Sequence, residues 1–324
     1  MSDALKSNSR YQRMGACLAL GHLGAKAKEA VPALESALAD KNAGVRAHAA
    51  QAIWRIDRRR AADIVPVLAE ALKDDDRGVR IGAVVTLGQI GKEARRAAPA
   101  LRSLLADEDA QLRIKAALAL YQVDPSEAAS VSKALVGAFG SKDLPIQVEA
   151  AAGLGELGPN AKDAVPALGK ALVGADEMRS HFAAQALAQI GKAAVPFLIE
   201  GLKSEKAGLR WDALNALGHI GPDAKEAAPA VARILGASDP SLRAEAARIL
   251  GRIGPGAKAA VPALAQALKD EMYIVRLNAA EALGQVGPAA REAIPGLKAA
   301  LNDKSNDVSN AALDALNRIE KKGE

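Results

Sequence analysis

The chain has 324 residues with 43 lysines and arginines against 38 aspartates and glutamates, and half its residues are hydrophobic although only 2% are aromatic. A net charge of +5 carried in alternating signs is a solubilising surface and excludes the footprint of a polyanion binder. Cys17, the single cysteine, excludes an internal disulfide and a cysteine-built metal cluster. With no apolar signal region and no run approaching the ~18 apolar residues of a membrane span, the chain is expected to be cytoplasmic and off the membrane.

From the N-terminus onward one pattern returns. Ser2-Asp3-Ala4-Leu5-Lys6 matches the tail of a helix seen again at Ala267-Leu268-Lys269, so the array is expected to begin inside a repeat, as a segment of a longer protein. The next helix, over residues 11–23, carries Arg13 near its start. That arginine returns as Arg46, Arg80, Arg113, Arg210, Arg243 and Arg276, with Gln147, Ser180 and Ser309 in the same slot. The steps are 33 or 34 residues, apart from one of 30 between Ser180 and Arg210. Proline keeps the same beat at Pro32, Pro66, Pro99, Pro166, Pro196, Pro229, Pro262 and Pro295, with Lys133 in the vacant place. Self-similarity at this period over the whole chain predicts stacked repeats in one continuous domain, residues 1–324.

One unit shows the logic. Val275, Ala279, Ala280, Leu283 and Val286 fall on one side of a helix, and Gly287-Pro288 stops it, because glycine accepts a left-handed conformation and proline cannot continue the run. Val261, Leu264 and Leu268 give the stripe of a shorter preceding helix, and Lys269 to Tyr273 form a polar turn between the two. Pro262 is harmless in a first turn and bends the helix if deeper. Two such helices cannot close a core alone, so the units must stack. The fold is expected to be all-α, an α-solenoid of about ten two-helix repeats. The closing run Lys321-Lys322-Gly323-Glu324 suits a polar cap.

Pro262, Asp270, Val275-Arg276 and Leu283-Gly284 resemble the HEAT repeat, and specifically the bacterial HEAT-like repeats named after phycobilisome lyases. The resemblance covers essentially the whole chain and implies a right-handed superhelix. It also implies a ladder of hydrogen bonds between repeats from the turn aspartate and the helix arginine, carried onto Asp40 and Arg46, Asp74 and Arg80, Asp107 and Arg113, and Asp270 and Arg276.

The second helix of each unit lines the concave side in such solenoids. Positions one, five, eight and nine after the arginine point away from the apolar stripe and vary from copy to copy, as a binding surface on a repeated frame would. They make Trp54, Arg55, Ile81, Val85, Ile114, Leu118, Tyr121, Gln122, His181 and Trp211 the candidate partner-binding residues. Trp54 and Tyr121 stand out because they replace glycine, and large aromatics are favoured anchors. The expected function is a non-enzymatic scaffold, monomeric and without cofactor or metal, that binds a protein or peptide. His22, His48, His181 and His219 have no second ligand at a metal-binding spacing, and no phosphate loop or nucleophile motif is present. Two alternatives remain at this stage. The family name implies a bilin lyase or chromophore-handling protein. The basic balance, with Arg58-Arg59-Arg60 as a phosphate contact, would suit a nucleic-acid-binding relative, against which Glu156, Glu281 and Asp314 on the same face argue.

Overall fold

The computed structural model describes residues 2–174 and 176–320, so the polar run at 321–324 lies outside the described residues. Every regular element among the described residues is a helix. Internal contacts divide the chain into two compact units, residues 1–153 and 154–324.

The first unit holds α1 (Arg10–Leu23), α2 (Val31–Ala37), α3 (Ala43–Ile56), α4 (Ala61–Ala71), α5 (Arg77–Ile90), α6 (Ala98–Ser103), α7 (Ala110–Val123) and α8 (Ala128–Phe139), and most of α9 (Leu144–Leu157). The second holds the end of α9, then α10 (Val165–Leu172), α11 (Glu177–Ile190), α12 (Val195–Gly201), α13 (Ala207–Ile220) and α14 (Ala228–Ile234). It continues through α15 (Pro240–Ile253), α16 (Val261–Ala267), α17 (Tyr273–Val286), α18 (Ile294–Ala300) and α19 (Asn306–Glu320). Odd numbers are the second helices of the repeats and even numbers the first. From α1 to α7 and from α11 to α19 consecutive odd helices pack side by side, and each even helix there packs on the odd helix that follows it, while α8 packs on α7. This is an α-solenoid architecture, built from the hairpins the periodicity predicts.

The core is a column of small aliphatics: Val275, Ala279, Ala280 and Leu283 of α17 are fully buried, as are Leu264 and Val261 of α16. Gly287 ends α17 with φ 71° while its N–H bonds to the carbonyl of Leu283. Between that glycine and the proline lies a short 3₁₀ segment, Gly287–Ala293, which periodicity alone does not announce. It places Pro295 at the start of α18, and Pro262 likewise at the start of α16, where a missing N–H costs nothing. Pro66 differs: it lies inside the longer α4.

The 30-residue step is absorbed in the same lead-in, which shrinks to Lys192–Ala194 before α12. There Phe197 sits over Gly169, where a methyl group on the glycine would lie 2.1 Å from the ring. A large side chain has been matched by removal of its neighbour's.

The odd helices approach closely because the eighth residue after the arginine is mostly glycine. A methyl group on Gly21 or Gly284 would come 3.0 Å from the Cα of Ala52 or Ala315 on the next helix. Two repeats break this rule together at two places. Where Trp54 and Tyr121 replace the glycine, the terminating glycine is also replaced, by Asp57 and Asp124. Those helices end in extended backbone, φ −143° at both, and the aspartate side chains accept from Arg59 N and Ser126 N instead. No helix of the described residues is long and apolar enough to cross a membrane.

Candidate functional site

The arginine ladder has two kinds of bond: one joins the residue pairs the resemblance implied, through the aspartate's backbone and within a repeat, and the other runs between repeats from the carboxylate to a different arginine. Within a repeat the guanidinium binds the backbone of the turn before it: Arg46 Nη1 donates to Asp40 O at 2.8 Å, Arg80 to Asp74 O at 2.8 Å, Arg113 to Asp107 O at 2.6 Å and Arg276 to Asp270 O at 2.9 Å. Gln147 does the same through its amide to Ser141 O at 2.6 Å. The carboxylate rung runs to the arginine one repeat earlier, with two parallel bonds each for Arg13 to Asp40, Arg243 to Asp270 and Arg276 to Asp303. Asp74 and Asp107 make no such rung among the described residues; their carboxylates accept from Asp76 N and Asp109 N, and Arg80 Nε is buried without a partner there. The rungs are structural, since Arg13 and Arg243 are buried beside their carboxylates. The neighbouring guanidinium holds Asp40, Asp270 and Asp303 below the usual carboxylate range.

The candidate partner-binding residues divide by exposure. Trp54, at 7%, and Ile114, at 1%, are core residues and not anchors. Trp54 fills the seam that glycine leaves elsewhere, and Arg58 covers its ring at 5.6 Å. Ile81, Leu118 and Tyr121 are half-buried, while Arg55, Val85, Gln122, His181 and Trp211 are exposed. The Arg58-Arg59-Arg60 cluster is largely neutralised. Arg59 binds Asp57 and holds that carboxyl down at about 2, Arg60 binds Glu35 and Asp63, and Arg58 stacks on Trp54. A phosphate-binding role for it has no free charge to rest on beyond Arg58.

In the second unit the corresponding columns border cavities. Trp211, 39% exposed on α13, borders two of them. One, of about 270 Å³, lies between α11 and α13 and is lined by His181, Gln185, Asp212, Asn215 and His219 over a floor of alanines. His181 Nδ1 lies 3.0 Å from Asp212 Oδ1, and Gln185 Nε2 lies 2.8 Å from His181 Nε2. An amide nitrogen donates, so this arrangement suits the tautomer in which Nδ1–H is offered to Asp212. The other, of about 470 Å³, includes Glu177, Ser180, Lys206 and Leu209.

Further along, α15, α17 and α19 form a groove of about 530 Å³. Its floor is Gly251, Ala282, Gly284 and Ala315, and its walls carry Arg252, Gln285 and Arg318, with Glu281 and Asp314 one helical turn away. Arg248 is spoken for by the buried Glu245. Glu281, Asp314 and Arg318 have no ion-pair partner among the described residues, and Arg252 makes only a 3.5 Å bond to Gly218 O. Reading columns from the sequence picks out these positions as outward-facing. It does not tell that openings of this size lie beside them.

Cys17 is buried and its thiol is pushed up to about 11 by that burial, which leaves almost no thiolate near neutral pH. No three histidine, cysteine or carboxylate side chains gather as a ligand set among the described residues.

A family model described as HEAT repeats matches residues 1–65, 40–120, 65–143, 165–239 and 227–317, and one described as PBS lyase HEAT-like repeat matches residues 146–174 only. Among solved structures, importin beta is similar over 98% of this chain at 15% identity with a TM-score of 0.59. Kap121p is similar over 90% at 16% identity with a TM-score of 0.58. This chain spans 50% of that importin beta chain and 37% of Kap121p. At such identities the likeness is one of fold. An engineered protein, 27% identical, matches 58% of the chain with a TM-score of 0.44. No curated protein sequence matches the chain.

Proposed function

Since the chain belongs to the HEAT-repeat family, we propose that it works as such arrays can without catalysis: as a scaffold that binds a protein or peptide across the outward face of its second helices. The observation that carries this reading is Trp211, a large indole left 39% exposed where it borders two cavities. An indole bordering empty space with hydrogen-bonding groups beside it has the character of an anchor point. His181 and Gln185 on one side and Asp212 and Asn215 below would orient what docks there. In the first unit the exposed Arg55, Val85 and Gln122 stand at the corresponding positions of their own repeats and would give that unit a contact of its own. The mixed charge along the face favours polypeptide over nucleic acid, whose phosphates demand a basic track.

A random peptide library displayed on phage and selected on the full chain tests the proposal. Trp211→Ala is expected to weaken the selected peptides by about 30-fold, the equivalent of ~2 kcal/mol for a truncated anchor. Selected peptides that bind Trp211→Ala and Arg252→Ala/Arg318→Ala as tightly as the original chain would place recognition on another surface.

A further inference from the structure

The geometry points to a specific ligand for the groove on α15, α17 and α19: an extended peptide segment in which acidic and basic residues alternate. This rests on the scaffold reading and adds the chemistry of the partner.

Successive second helices present the same two columns. Five residues after the arginine slot stand Arg248, Glu281 and Asp314, and nine residues after it stand Arg252, Gln285 and Arg318. Four residues along a helix is about 6 Å of axial rise, so the two columns form separate edges on either side of a track that crosses the helices, one acidic on α17 and α19 with the paired Arg248 on α15, the other basic on α15 and α19 with neutral Gln285 between. The floor between them is glycine and alanine, which leaves room for a backbone. The four charges are not spent on each other: Asp314 and Arg318 are spaced for an ion pair on one helix and make none among the described residues. Arg248, already paired with Glu245, adds no net charge. The track is therefore neutral overall but divided lengthwise by sign.

Side chains of an extended chain point alternately to opposite sides. A segment of alternating charge thus turns all its basic groups to one edge and all its acidic groups to the other, and it does so in either chain direction. A segment with the same residues in two blocks puts both signs on each edge and meets like charge at half its positions. Packed helices lie about 8–10 Å apart, so crossing from α15 to α19 takes roughly six extended residues at ~3.3 Å each.

Two fluorescein-labelled octapeptides of identical composition test this on the full chain, by fluorescence anisotropy at low salt. In one, lysine and glutamate alternate from end to end; in the other, all the lysines come first and all the glutamates follow. The alternating peptide is expected to bind at least ten-fold tighter. Glu281→Arg/Asp314→Arg, which makes both edges basic at exposed positions, is expected to abolish that preference, and so is Arg252→Glu/Arg318→Glu, with thermal unfolding of both variants checking that the fold is intact. Equal affinity for the two peptides, no measurable binding of either, or a preference that survives both variants overturns the inference. Library peptides that depend on Trp211 but carry no alternating charge would leave the scaffold reading standing while this one falls.

Discussion

Asp40, Asp270 and Asp303 each accept two bonds from the arginine of the preceding repeat and one from a backbone N–H two residues on. Both contacts favour the charged carboxylate, so each group titrates lower in the folded chain than in the unfolded one. The unfolded chain then binds protons first as pH falls, and the stability these rungs supply is whole above the ordinary aspartate value near ~4 and is lost as pH drops through the lower folded values. Urea midpoints measured from neutral to acid pH are expected to fall on the acid side, and Asp270→Asn is expected to flatten part of that slope. A variant with an unchanged pH profile would remove the rung from the account. The same scale explains why Trp54 misleads in the sequence. Its column holds glycine because neighbouring backbones nearly touch there, and an aromatic in that place fills the seam instead of standing out from it. Nothing in a glycine column says which of these a larger residue will do.

The second helices are strongly signposted at both ends. Asn42, Asp76, Asp109, Asp176 and Asp239 accept from N–H groups of the first turn, and a glycine with positive φ closes most of the helices. Those signals, together with the apolar spacing, make the hairpins legible from sequence. The 3₁₀ lead-ins are not, because over so few residues a period of about 3.0 cannot be told from one of about 3.6, and the segments read simply as the front of the first helix. Met272 breaks the capping rule: it occupies the cap position of α17, makes no side-chain bond to the helix, and is 40% exposed. Met272→Asp is expected to stabilise the protein by about 1 kcal/mol, read as a higher urea midpoint with an unchanged slope. A neutral or lower midpoint would mean that the exposed methionine makes contacts worth more than a cap.

An array in which each repeat touches only its neighbours is as firm as its local seams. Carboxylate rungs are present around α1 to α3 and α15 to α19, whereas the slot holds Gln147 and Ser180 in between and the turn positions Gly174 and Ser204 carry no carboxylate. Amides of α11 and α13 are therefore expected to exchange with deuterium faster than those of α17, helices of equal length, when followed by mass spectrometry. The reverse order would show that apolar packing, not the rungs, sets local firmness. The packing at the seams has one more effect. Gly218 and Gly284 lie beneath the side-chain stems of Arg252 and Arg318, whose Cδ atoms would stand 3.7 and 3.6 Å from a methyl group placed there. A residue that helps set where each guanidinium can rest is thus a glycine of the adjacent copy. Divergence at such a position can retune what the protein selects while the charged residues themselves stay the same.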